Sequence, residues 1–264
     1  MQISLTRRFW LVLLIVGLVL FFGAEQVLKY TGNRGFIPAI IFVGAFLVPV
    51  VFVTYSYEYE HISMKGLPVG TVAACFLWGG ALGVLIAAVL EFQVLRQLGV
   101  VQLFGVGIIE ESAKLIWPLA IYLRGRFRAE ADGVLFGIAA GMGFAALETM
   151  GYGFSALLRS QGNVGVLEET LFIRGLLSPA GHAAWTGLVC AVLWRQRENK
   201  GHRVINAAVI GAFLLAIGLH AVWDIVNSFS TDAIAALGSL VIAVLSLTLL
   251  IRRMRESAHY HTHE

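Results

Sequence analysis

The chain has 264 residues, of which 58% are hydrophobic and 13% charged, against roughly 25% charged in a soluble domain. One core of this length cannot hide so much apolar surface, so a water-soluble globule is excluded and the excess must face lipid. The formal net charge of +3 does not point to nucleic acid, because the Lys and Arg residues sit between apolar runs, where they act as topology signals.

The first apolar run, 9–28, follows Arg7 and Arg8 and has the look of a signal peptide. Its length and the absence of a small-x-small pattern at Glu25-Gln26-Val27 mark it as a retained span. Glu25 and Lys29, four apart near its far end, read as a surface pair. Further runs follow at 36–56, 68–90, 101–123, 133–158, 175–195, 204–227 and 233–251. Each is long enough to cross a ~30 Å hydrocarbon layer as a helix. The reading is therefore an all-α polytopic membrane protein with about eight transmembrane helices and no soluble domain. Cys75 and Cys190 fall inside apolar runs and read as small buried residues.

Eight spans put both termini on one side. Arg7, Arg8, Lys65, Arg124, Arg126, Arg128, Arg195, Arg197, Lys200, Arg203, Arg252, Arg253 and Arg255 fall on that side. Lys29, Arg34, Arg96, Arg159 and Arg174 fall on the other. The positive-inside rule then predicts a multi-pass cell-membrane protein with cytoplasmic N- and C-termini. The tail His259-Tyr260-His261-Thr262-His263 reads as a solvated cytoplasmic tail. Glu168-Glu169, in the far-side connection 159–174, reads as a solvated acidic pair.

A few ionisable residues lie inside spans: Glu110, Glu111 and Lys114 in the fourth, Glu148 in the fifth, His182 in the sixth, His220 and Asp224 in the seventh. A carboxylate at mid-membrane costs at least ~2.5 kcal/mol, so such residues usually face a polar interior with a function. Counted along each helix at 1.5 Å per residue, Glu111, Glu148, His182, His220 and Asp224 fall roughly 5–15 Å below the non-cytoplasmic surface. His220 and Asp224 share a helical face, and Lys114 is placed to offset one of the adjacent glutamates. Gly133, Gly137 and Gly141 form a small-xxx-small stripe that lets a neighbouring helix approach, and Glu148 continues that face. Pro118 predicts a bend below the acidic pair. The bland readings are an internal salt bridge at Glu110, Glu111 and Lys114, a hydrogen-bonded His220–Asp224 pair, a structural His182 and a helix-clamping Glu148. They do not account for the shared depth.

Glu110-Glu111-Ser112-Ala113-Lys114 fits EExxK, and Phe144-Ala145-Ala146-Leu147-Glu148 fits FxxxE. Ser178-Pro179-Ala180-Gly181-His182 and His220-Ala221-Val222-Trp223-Asp224 follow in order. Together these resemble the PrsW family of bacterial intramembrane proteases and, more distantly, the group containing type II CAAX prenyl endopeptidases. Thr149 stands where many members have Asn. The resemblance covers the fourth to seventh spans. It implies hydrolysis of a peptide bond in a membrane-anchored protein near its extracytoplasmic side, with an anti-sigma factor as the family's best-known substrate. On this reading one membrane domain, 1–264, divides into three accessory spans (1–100), a four-span catalytic core (101–227) and a last span with its tail (228–264).

Hydrolysis needs an activated water, a proton for the leaving amine and stabilisation of the tetrahedral oxyanion. By similarity to the wider group, Glu110 is the base, Glu111 and Lys114 tune it, Glu148 and His182 orient water or the oxyanion, and His220–Asp224 complete the polar shell. The same inventory could hold zinc on His182, His220 and Asp224 with one open position. HExxH is absent, so the metal-dependent and metal-free glutamate routes both stand. The rival reading is a proton- or ion-coupled transporter, which would spread such residues across both leaflets and show inverted repeats.

Overall fold

The computed structural model describes residues 8–61, 67–94, 101–201, 205–229 and 231–260. Arg7, Lys65, Arg96, Arg203, the side chains of His259 and Tyr260, and the tail from His261 to Glu264 lie outside the described residues. The described residues are almost all helical. In order come α1 (Phe9–Thr31), α2 (Ile37–His61), α3 (Val69–Ala74), α4 (Gly80–Val94), α5 (Val101–Arg124), α6 (Glu130–Arg159), α7 (Val164–Leu177), α8 (Ala184–Lys200), α9 (Ala207–Phe229) and α10 (Asp232–Tyr260). π turns at Cys75–Gly79 and Pro179–Ala183 join α3 to α4 and α7 to α8 without a loop.

Seven of the resulting segments are long and apolar enough to cross a membrane. The eighth span, α5, matches them in length with 24 residues but carries Glu110, Glu111 and Lys114 in its middle. Those charges lower its apolarity and give the bundle a polar wall.

One expectation is corrected. The sixth span does not begin at Gly175. The connection after α6 is only 160–163, closed by positive-φ Gln161 and Gly162, and Asn163 caps α7 by accepting from the amides of Gly165 and Val166. The segment Val164–Lys200 is therefore continuous over 37 residues. Glu168 and Glu169 lie on a helix rather than in a loop. Glu25, expected at the surface, is buried beside Lys29 with Glu168 next to it.

Helix α6 is the hub and packs against α2, α4, α5, α7, α8 and the first π turn. Small residues on two of its faces explain this. A Cβ on Gly137 would meet the Thr186 carbonyl at 2.6 Å, and one on Gly133 would meet the Cys190 carbonyl at 2.7 Å. A Cβ on Gly141 would strike the backbone of His182, so the predicted glycine stripe is the seat of α8. On another face, Gly79 and Gly80 bring the first π turn against Ala140 and Gly143. The α1–α2 hairpin rests on the α6–α7 hairpin through Leu28, Ile40, Ile41, Ala45, Leu157, Leu167 and Leu171. Cys75 and Cys190 are buried and free, as their apolar surroundings predict. Many large apolar side chains remain exposed, among them Val19, Leu85, Phe172 and Leu214, as lipid-facing surfaces require.

Candidate functional site

Helix α5 supplies the floor. Glu110 and Glu111 diverge around the helix, and Lys114 lies one turn below both. Its ammonium donates to Glu110 Oε2 at 3.0 Å and to Glu111 Oε1 at 2.8 Å, with no exposed surface of its own. Pro118 lies within the continuous helix. Lacking an N–H, it leaves the Lys114 carbonyl without its helical donor.

Glu111 is fully committed. Oε1 also meets His220 Nδ1 at 2.9 Å, and Oε2 accepts from the Thr186 hydroxyl at 3.4 Å. With Nδ1 turned to Glu111, His220 Nε2 is left facing Glu110 Oε2 at 3.7 Å and Asp224 Oδ2 at 3.5 Å. A carboxylate behind one imidazole nitrogen fixes the tautomer and orientation of the other. The HxxxD spacing thus works as expected, one helical turn placing Asp224 beside the ring.

Helix α6 supplies Glu148, whose Oε2 lies 3.3 Å from His182 Nε2 and 2.8 Å from Arg174 Nη2. The aromatic residue of FxxxE is a platform: the His182 ring stacks on Phe144 at 5.7 Å, and Lys114 Nζ lies 4.4 Å from the Phe144 centroid. Trp185, three residues after His182, lies 5.0 Å from the His220 ring and donates its indole N–H to Ser246 on α10. Thr149 is buried.

All seven residues singled out from the sequence therefore lie together. Those the sequence reading missed are Arg174, Tyr152, Thr186, Trp185 and Phe144 as a stacking partner. Arg174 had been placed in a loop. It lies instead on α7 with its guanidinium 3.8 Å from the Tyr152 ring, and Tyr152 is one turn beyond Glu148. The signal was available: an Arg and a His eight residues apart, bracketing a proline.

Exposure shows which way the site opens. The side chains of Lys114 and Glu111 are 0% and 1% exposed, whereas those of Glu148, Asp224 and Arg174 are 18%, 23% and 28%. The acidic pair is the closed end, and Glu148, Asp224 and Arg174 form the mouth. A cavity of about 630 Å³ elsewhere, lined by Lys29, Arg34, Gln161 and Gly162 among others, shares none of these residues.

Donor atoms of Glu110, Glu148 and His182 all lie within 4.8 Å of one another, close to the spacing around a single ion with ligand bonds of ~2.0–2.2 Å. This donor set differs from the one suggested by the sequence: His182 is common to both, but carboxylates of α5 and α6 replace His220 and Asp224. The charge fits too. Among these residues carboxylates (Glu110, Glu111, Glu148, Asp224) outnumber the cations (Lys114, Arg174), so a bound divalent ion would lower the net negative charge of the site.

A family model described as PrsW family intramembrane metalloprotease matches residues 67–251. No curated protein matches the chain, and no solved structure does. The matched region takes in α3 to α9 and most of α10, and leaves out α1 and α2.

Proposed function

This chain belongs to the PrsW family of intramembrane proteases, and from that premise we propose that its buried polar site hydrolyses a peptide bond of a membrane-anchored protein near the extracytoplasmic side, as in regulated cleavage of an anti-sigma-type substrate. Family membership makes it a membrane-embedded peptidase and decides against the transporter reading. The observation that carries the proposal is the convergence of Glu110, Glu148 and His182 at one point, with Glu111, Lys114 and His220 braced behind them.

The roles follow from what each group is free to do. Glu111 has no spare capacity, since Lys114, His220 and Thr186 all hold it. It is a positioning residue. Glu110 shares Lys114 but keeps its other oxygen, and sits where α5, α6 and α9 meet, so it is the general base for the attacking water. Lys114 holds both carboxylates apart and lowers the cost of placing them side by side. His182 and Glu148 stand across from Glu110 and orient the water or the carbonyl. His220, aimed by Glu111, presents Nε2 to the same space and supplies a donor to the oxyanion or a proton to the leaving amine. Lipid-facing walls exclude bulk water, which strengthens each of these interactions.

Glu110, Glu148 and His182 are the residues that would hold a divalent metal such as zinc. When bound, such an ion acts as a Lewis acid and lowers the pKa of a coordinated water. The two routes share the same carboxylates, so they are separated by experiment.

The test uses purified protein and a single-span substrate carrying its cleavage region on the extracytoplasmic side. The native chain is expected to cleave it. Glu110→Gln keeps size and hydrogen bonding but removes the base, and is expected to abolish cleavage while the protein remains folded. His182→Ala and His220→Ala are expected to lose most activity, by more than the ~10²–10⁴-fold of one acid–base group where several residues act as a unit. Loss in chelator restored by zinc supports the metal route, and full activity in strong chelator supports the glutamate route. If Glu110→Gln and Glu111→Gln both cleave normally, the assignment is wrong.

A further inference from the structure

The span formed by α3 and α4 carries one charged residue among its described positions, Glu91, three residues from the end of α4. Helical spacing puts it on the same face as Gly80, Gly83 and Ala87. That face is the one pressed into the bundle. A Cβ on Gly80 would run into the backbone of Gly143, and one on Gly83 would meet the Phe144 ring at 3.0 Å and the Ala113 backbone at 3.7 Å. Ala87 shares a buried cluster with Ala113 and Phe144.

The next turn of each helix locates Glu91. Between Ala87 and Glu91, α4 climbs about 6 Å at 1.5 Å per residue. Over the same rise α6 passes from Phe144 to Glu148. Helix α5, running the opposite way, passes from Ala113 back to Glu110 and Ile109. With Gly80 against Gly143 and Gly83 against Phe144 and Ala113, Glu91 stands about one to two turns beyond Glu110 and Glu148, and its side chain leans back toward their level. Its carboxylate is within electrostatic reach of Glu110, Glu148, Lys114 and His220. Its Oε1 is buried with no hydrogen-bond partner among the described residues.

A buried carboxylate oxygen without a donor is costly, and the positive groups within its reach among the described residues, Lys114 and His220, are already held by Glu110 and Glu111. Donors arrive with the substrate. We propose that Glu91 is a substrate-binding carboxylate of this active site, holding the nitrogen on the leaving side of the scissile peptide bond. The inference rests on the peptidase reading above. During hydrolysis the water oxygen bonds to the carbonyl carbon, the C–N bond breaks, and the nitrogen takes up the proton that the base removed from water. The free amine then takes the proton released by the new carboxylic acid and becomes an ammonium. The nitrogen grows more positive along this path, so a carboxylate beside it binds the transition state more tightly than the neutral peptide.

The test has two arms. In a background with Cys75 and Cys190 replaced by Ala, Glu91→Cys paired with Glu148→Cys is expected to be joined by a short bis-methanethiosulfonate linker, reporting placement without any need for activity. In the cleavage assay, Glu91→Gln is expected to lower kcat roughly 10- to 100-fold, the loss of one charge-assisted hydrogen bond, with KM changed little and Glu91→Asp recovering part of the rate. A merely structural glutamate would not produce that split. Wild-type kcat in both Glu91→Gln and Glu91→Leu, with Glu110→Gln inactive, overturns the proposal and spares the peptidase reading, as does failure of the cysteine pair to link. Cleavage by Glu110→Gln and Glu111→Gln alike overturns the peptidase reading and this inference with it.

Discussion

Replacing Lys114 with Met removes one charge from a place where nothing can take over. The ammonium is sealed from solvent and sits 3.0 Å from Glu110 and 2.8 Å from Glu111. Met fills nearly the same volume on the Phe144 ring, so packing changes little and electrostatics dominate. Breaking a buried ion pair by removing one partner costs about 3–5 kcal/mol, because the remaining charge is stranded. Here two carboxylates are stranded one residue apart, so the upper half of that range applies. That corresponds to an unfolding constant shifted by about three to three and a half orders of magnitude. Reversible unfolding in mixed micelles, followed by tryptophan fluorescence, measures it. Lys114→Met with Glu111→Gln leaves one glutamate of the adjacent pair, beside His220, and is expected to regain more than half of the loss. Both variants are expected to be inactive, because Glu111 also holds His220. An unfolding free energy for Lys114→Met within ~1 kcal/mol of wild type would refute the claim that this lysine compensates both glutamates.

Four further outcomes are expected. Gly137→Val would place atoms against the Thr186 carbonyl and the Gly187 backbone, which cannot retreat, and is expected to cost about 1–3 kcal/mol in the same unfolding assay. Gly151→Ala meets nothing within 4 Å and is expected to be neutral or stabilising by up to about 1 kcal/mol. Glu168→Gln touches α1 rather than the site and is expected to keep most cleavage activity, which the substrate assay measures. Reporter fusions after Glu264 and within 196–203 are expected to be cytoplasmic and fusions near Asp232 extracytoplasmic, with one reversed reporter enough to sink the orientation.

The helical spans were legible because apolar runs of bilayer length have one reading in lipid. The site was legible because charges inside such runs are rare enough to be informative, and the i,i+3 and i,i+4 relations within EExxK and HxxxD are set by helix geometry alone. What was not legible is what passes between helices. Arg174 looked like a surface charge because Glu168, Glu169 and Arg174 together depress the apolarity of the first half of the α7–α8 span. Its partner lies on α6, and no spacing rule links the two. Glu91 was overlooked because a single carboxylate near a helix end resembles an interfacial residue until the neighbouring helices show which way its face points. The donor set shifted from His182, His220 and Asp224 to Glu110, Glu148 and His182 for a similar reason. Sequence spacing shows that His220 and Asp224 are neighbours, but not that Glu111 occupies one side of the imidazole.

The sequence Ser178-Pro179-Ala180-Gly181-His182 gains a physical explanation from its π turn. In a straight α-helix, eight residues turn through about 800°, so Arg174 and His182 would point about 80° apart. A π turn has more residues per revolution, roughly 4.4, and over Pro179–Ala183 it removes nearly all of that difference. Both side chains then reach the same oxygen of Glu148. Pro179 starts the irregularity by removing the amide that would serve the Gly175 carbonyl, and the Ser178 hydroxyl replaces it at 2.8 Å. Side chains on a helix lean toward its N-terminus, so the His182 ring rises toward Glu148 although its backbone is wedged against Gly141. The absence of a side chain at Gly141 and the absence of an amide hydrogen at Pro179 thus act together: one lets α8 approach, the other turns His182 into the space between the two glutamates.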